Sequence, residues 1–96
     1  MSRRTQFKFR LYVAGDGLNS TQAIANLTAF CGSLLRDRHG IEIVDVFREP
    51  KRALADGIFM TPTLVKVLPS PARRIVGTLS QMQPLLDALG LEAAGA

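Results

Sequence analysis

The sequence predicts a single α/β domain in the order β-α-β-α-β-β-α. Three observations carry this. Phe7 to Val13 alternates apolar and polar residues, as a strand does, and apolar residues from Ile24 to Leu35 then recur at helical spacing. Thr61-Pro62 runs directly into the β-favouring stretch Thr63–Leu68. Pro69-Ser70-Pro71 is too short for a parallel crossover, so the strand after it, Arg73 to Thr78, is antiparallel to the one before.

In the first strand Phe7, Phe9, Leu11 and Val13 are expected on a buried face, with Lys8, Arg10 and Tyr12 opposite. Ala14-Gly15-Asp16-Gly17 ends it. Asn19 or Ser20 is expected to cap a helix whose apolar face is Ile24, Leu27, Cys31, Leu34 and Leu35. His39 is placed in its last turn, and Gly40 just beyond it. Ile41 to Phe47 is β-branched and apolar apart from Glu42 and Asp45, which predicts a largely buried strand. Pro50 opens a short helical turn through Asp56, closed by Gly57. Proline fixes its own φ and pushes the residue before it towards extended geometry, so Pro62 can open a strand behind an extended Thr61. Ser80 and Gln83 have capping-box spacing ahead of the stripe Leu79, Met82, Leu85, Leu86 and Leu89, and Gly90 closes that last helix. Residues 1–6 and 92–96 are expected to be disordered or frayed tails around a domain of residues 7–91.

The composition narrows the function classes. An apolar fraction of 47% against 21% charged residues is that of a globular chain, and 96 residues suffice for one modest core. No apolar run reaches the length of a membrane span, and no apolar signal core follows the basic start. A cytoplasmic protein is expected. The net charge is +4, but the basic residues are scattered and the six aromatics are not spaced for stacking on bases. The charge suits an acidic protein partner better than nucleic acid. One cysteine and one histidine exclude an intramolecular disulfide and a Cys/His metal site. Gly15 and Gly17 lack the third glycine of a dinucleotide fingerprint, and the acids show no metal-loop or catalytic-pair spacing.

A parallel βαβ half followed by a β-hairpin and a helix is the thioredoxin-like topology. Thioredoxin-like enzymes place a reactive cysteine at the start of the first helix, where the helix N-terminus favours a thiolate. Here that position reads Asp16-Gly17-Leu18-Asn19-Ser20. Cys31 lies mid-helix on the apolar face, as a core residue. No enzyme, no cofactor and no catalytic residue is expected. Pro62 is the candidate for the cis-proline of such folds.

An ordered set of segments resembles the KaiB family of circadian clock proteins: Leu11-Tyr12-Val13-Ala14-Gly15, Asn19-Ser20, Val44-Asp45-Val46, Thr61-Pro62-Thr63-Leu64, Lys66-Val67-Leu68-Pro69 and Arg73-Arg74-Ile75-Val76-Gly77. The resemblance runs from about Phe9 to Leu91. It implies a non-catalytic regulator that binds the hexameric ATPase KaiC and then KaiA, in competition with a sensor histidine kinase whose input domain is KaiB-like. It implies two folds as well: a thioredoxin-like monomer that binds KaiC, and a tetramer with the second half rearranged. The β-favouring stretch Thr63–Leu68 and the helix-favouring Leu85–Leu89 suit the thioredoxin-like form. Partner contacts are expected at Lys51, Arg52, Ala53, Asp56 and Ile58, with Arg73 and Arg74 second. The family's paired acids and lysine near the short helix are here Leu54, Ala55 and Gly57, and its Gly-Asp-Leu-Ser is Gly77-Thr78-Leu79-Ser80, so the chain reads as a divergent paralogue. The alternatives are a degenerate thioredoxin-like redox or peptide-binding protein, and a stress-related paralogue with another partner.

Overall fold

The computed structural model describes residues 5–90. Strand β1 (Phe7–Val13) lies inside a four-stranded sheet, between β2 (His39–Asp45) and β3 (Thr63–Leu68), with β4 (Arg73–Val76) outside β3. β1 pairs parallel with β2 and antiparallel with β3, and β3 pairs antiparallel with β4. One face carries α1 (Leu18–Phe30) and α3 (Met82–Leu89), the other the short α2 (Pro50–Ala55). The main core joins Phe7, Phe9, Leu11 and Val13 to Ala23, Leu27, Phe30, Cys31 and Leu35, and to Leu64, Leu85, Leu86 and Leu89. A smaller core under α2 holds Tyr12, Val44, Ala53, Ile58 and Val65.

Several expectations are corrected. Tyr12 is fully buried, because the central strand is covered on its second face by α2. Ser20 does not cap α1: Gly17 holds the cap position without a side-chain bond, and the Ser20 hydroxyl instead bonds the backbone of Ala14. α1 ends in a π turn over Cys31–Leu35. Its wider turn rotates the stripe, so Leu35 is buried while Leu34 turns outward. Arg36, with φ +22°, ends the helix, and His39 and Gly40 belong to β2. β2 itself is an edge strand with only Val44 fully buried, because one side has no neighbour and α2 covers little of its length. It stops at Asp45, whose carboxylate accepts the Phe47 N–H at 2.9 Å and the Gly15 N–H at 3.1 Å. β4 stops at Val76, two residues short of the expected end. α3 is capped at Gln81 without a side-chain bond, so Ser80 and Gln83 form no capping box. Pro84 falls in its first turn, where backbone N–H groups lack intrahelical acceptors anyway. Met82 is largely exposed. Gly90, with φ +72°, closes the helix in the left-handed region. Of the expected tails, residues 1–4 and 92–96 lie outside the described residues, as does Leu91.

Candidate functional site

α2 forms because proline fits the first turn of a helix and Gly57, at φ +66°, turns the chain out of it. Its inner side packs Ala53 onto the sheet, and Ile58 follows into the same small core. These two expected contact residues therefore lie beneath the surface, at 6% and 9% exposure. Both pack against the sheet and position the helix.

A polar frame fixes α2 to the sheet. The Arg10 guanidinium spans Glu42 on β2 and Asp56 at the end of α2, at 3.0 Å each. Arg52 pairs with Glu42 at 2.8 Å and more loosely with Glu49 at 3.4 Å. Arg52 first, and Arg10 with it, hold the Glu42 carboxyl down at about 2. The buried Tyr12 hydroxyl donates to the Asp56 carboxylate. That bond first, and Arg10 after it, keep the Asp56 carboxyl below the ordinary range, while burial raises the Tyr12 phenol. From β4, Arg74 donates to the Gly57 carbonyl at 3.2 Å and to the Asp56 carbonyl. Arg52, Asp56 and Arg74 are thus engaged within the chain.

The outer surface around α2 is of another kind. Lys51 is exposed, and so are four large apolar residues in this stretch: Phe47, Leu54, Phe59 and Met60, with Phe59 at 89%. Nothing in the periodicity singles out Phe47, Phe59 or Met60, since each sits in a short connection. Arg10 and Tyr12 were equally hidden, because their partners lie 32 to 46 residues away. Arg73 does not join this group. It alternates with Arg74 along β4, so it emerges on the opposite sheet face, across from Lys66.

The sheet end near α2 also holds Pro62. The Thr61–Pro62 bond is cis, the Thr63 hydroxyl donates to the Met60 carbonyl at 2.5 Å, and the Pro62 carbonyl accepts the Gly77 N–H at 2.9 Å. Two further bonds, before Pro69 and Pro71, are also cis. Cys31 is wholly buried and lies about 20 Å along the helix from its start, beyond the reach of the N-terminal dipole. Burial pushes its thiol up to about 12. No cluster of metal-ligating side chains occurs among the described residues, and no helix there is long and apolar enough to cross a membrane.

A sheet with one α2-covered face, a cis-proline loop and no cysteine at the helix start defines a thioredoxin-like domain without the thiol site of that fold's enzymes. Solved structures agree on the fold. The N-terminal domain of Synechococcus elongatus SasA superimposes with a TM-score of 0.68 at 18% identity, covering 98% of this chain and 92% of that one. Chloroplastic thioredoxin z gives 0.71 at 17% identity, covering 91% and 80%. Sequence comparison is more specific. The family described as "KaiB domain" matches residues 10–91. The circadian clock protein KaiB3 of Synechocystis is 45% identical over 83 residues, 86% of this chain and 79% of the relative. The circadian clock oscillator protein KaiB of Prochlorococcus marinus is 41% identical over 91 residues, 95% and 76%. The chain belongs to the KaiB family.

Proposed function

We propose that this chain is a non-catalytic regulator that docks on a KaiC-type hexameric ATPase in circadian or timing control, through the outer surface of α2 and its flanks. The observation that carries the reading is the exposure of Lys51 and Leu54 on α2 beside Phe47, Phe59 and Met60, in a chain of the KaiB family. Leu54 held outward on a braced helix, with exposed apolar side chains on the connections before and after it, suits a partner surface better than solvent. Arg52, Ala53, Asp56 and Ile58 brace that surface, and Arg74 ties it to β4. Lys51 supplies an exposed positive charge. Leu54 stands where the family usually carries an acid, which shifts the contact from charge towards apolar burial and changes partner choice.

The docking form is the thioredoxin-like monomer in the cytoplasm, with a KaiA-like protein or a sensor histidine kinase as the further partner. The chain rests mainly in that form, with a rearranged tetramer as the alternative state. The test is size-exclusion chromatography with light scattering, alone and with the ADP-bound ATPase ring. Co-elution supports the reading, and a monomer that ignores the ring refutes it. A second reading, a thioredoxin-like domain that binds extended peptides or thiol ligands beside Pro62, draws on the cis-proline loop and the thioredoxin structures. Glutathione affinity without ring binding would favour it.

A further inference from the structure

β4 is the outer strand of the sheet, and no backbone group of Arg73–Val76 bonds anything beyond β3 among the described residues. Its side chains end two rows that cross the sheet on the α1/α3 face. One row runs Ile43, Leu11, Leu64 and Ile75, and is apolar throughout. The other runs Ile41, Phe9, Lys66 and Arg73, and ends in two neighbouring cations. Neither cation pairs with a carboxylate among the described residues. Lys66 is only 5% exposed. No fully buried side-chain nitrogen or oxygen lacks a partner there, so the Lys66 stem is covered while its ammonium reaches the surface near Arg73. Burial, and then the charge of Arg73, lower the Lys66 pKa. Like charges side by side on one sheet face are unfavourable, and an opposite charge added to the row relieves them.

We propose that the open edge of β4 accepts an extended acidic peptide segment as a fifth strand, with a glutamate or aspartate beside Arg73 and an aliphatic residue two positions away beside Ile75. Backbone hydrogen bonds would supply the affinity and the two side chains the selectivity. A second copy pairing β4 to β4 fits poorly, because it would bring another Arg73 and Arg74 to an edge whose Lys66 and Arg73 have no carboxylate partner among the described residues. The same arginines keep the edge from pairing indiscriminately. The partner is therefore recognised by an acidic residue and an aliphatic residue at strand spacing.

The probe is a short, end-blocked threonine peptide carrying one glutamate and one valine two positions apart. It is made in both orders, with a glutamine counterpart of each, and titrated into the 15N-labelled chain. The expected amide shifts centre on Lys66 and Arg73–Val76. Glutamate should bind about 1.4- to fivefold more tightly than glutamine, the range for one cross-strand charge pair. Arg73→Glu should abolish that preference, and a lysine peptide should then bind the variant better than the glutamate peptide does. Arg73→Gln should abolish the preference without reversing it. Equal binding of glutamate and glutamine, shifts at β2 or α2 instead of β4, or no shift at millimolar peptide would overturn the proposal. The inference does not rest on ATPase docking: Lys51→Glu should leave peptide binding unchanged whatever it does to ring binding.

Discussion

Tyr12 and Asp56 should be coupled in stability, and the coupling can be measured directly. Tyr12→Phe keeps the ring, so the apolar burial of the fully enclosed side chain is unchanged. What disappears is the hydroxyl that donates to the Asp56 carboxylate and, at 3.4 Å, more weakly to the Arg52 carbonyl. A hydrogen bond to a charged acceptor contributes about 1.5–3 kcal/mol. Asp56 is partly exposed, with 32% of its side chain accessible. Water can take up the freed acceptor, so the lower half of that range applies. Asp56→Ala should cost about 2–3 kcal/mol, because it leaves the Tyr12 hydroxyl in the small core with only the long bond to the Arg52 carbonyl and removes one arm of the Arg10 bridge. The double variant strands no hydroxyl, so it should be less destabilised than the sum of the two by about 1–2 kcal/mol. Urea unfolding followed by circular dichroism on the four proteins gives the cycle. Additivity within about 0.3 kcal/mol would refute the claim that this bond fastens α2 to the central strand.

Acid should loosen the same frame. Glu42 and Asp56 have folded pKa values below their ordinary ones, so their stabilisation is complete above the unfolded carboxyl pKa. For Glu42 it should decline from about pH 4.5 towards about 2, steepest between the two values. Glu42 is substantially exposed, so its share is small and salt-dependent. Urea midpoints between pH 7 and 2 should fall less for Glu42→Gln than for the parent chain, and an equal fall would contradict the sign. Cys31 should resist a thiol reagent in native buffer and react at once in denaturant, since its thiol is enclosed and held protonated. Rapid native labelling would contradict that. Two glycines should respond oppositely to alanine. Gly57→Ala places a side chain at φ +66° and should lower stability by about 1 kcal/mol. Gly32→Ala, in the π turn with nothing near its Cβ, should raise it by about 0.5–1 kcal/mol. Thermal melts of the two variants settle the order.

Local signals made part of this molecule legible. β1, β3, the Pro50 helix start and the Gly90 stop each rest on proline geometry, left-handed glycine or strict alternation within a few residues. Readings that needed a neighbour failed. The β-branched run of β2 has the composition of a buried strand, but its exposure depends on lying at the sheet edge, which no property of residues 39–45 encodes. Tyr12 reads as solvent-facing by alternation, and only the return of α2 across the sheet buries it. The π turn has no signature in Cys31-Gly32-Ser33-Leu34-Leu35, and it decides which of the two leucines is core. The candidate surface was half visible. The short helix could be placed, but which residues brace it depends on Arg10 meeting Asp56 across 46 positions of chain.

Hydrogen exchange of the whole chain with and without the ADP-bound KaiC-type ring tests the docking claim most directly. Added protection is expected over residues 47–60, reduced by Lys51→Glu combined with Leu54→Asp. A ring that protects only β2 or β4, or binds the double variant as well as the parent chain, would contradict docking through α2.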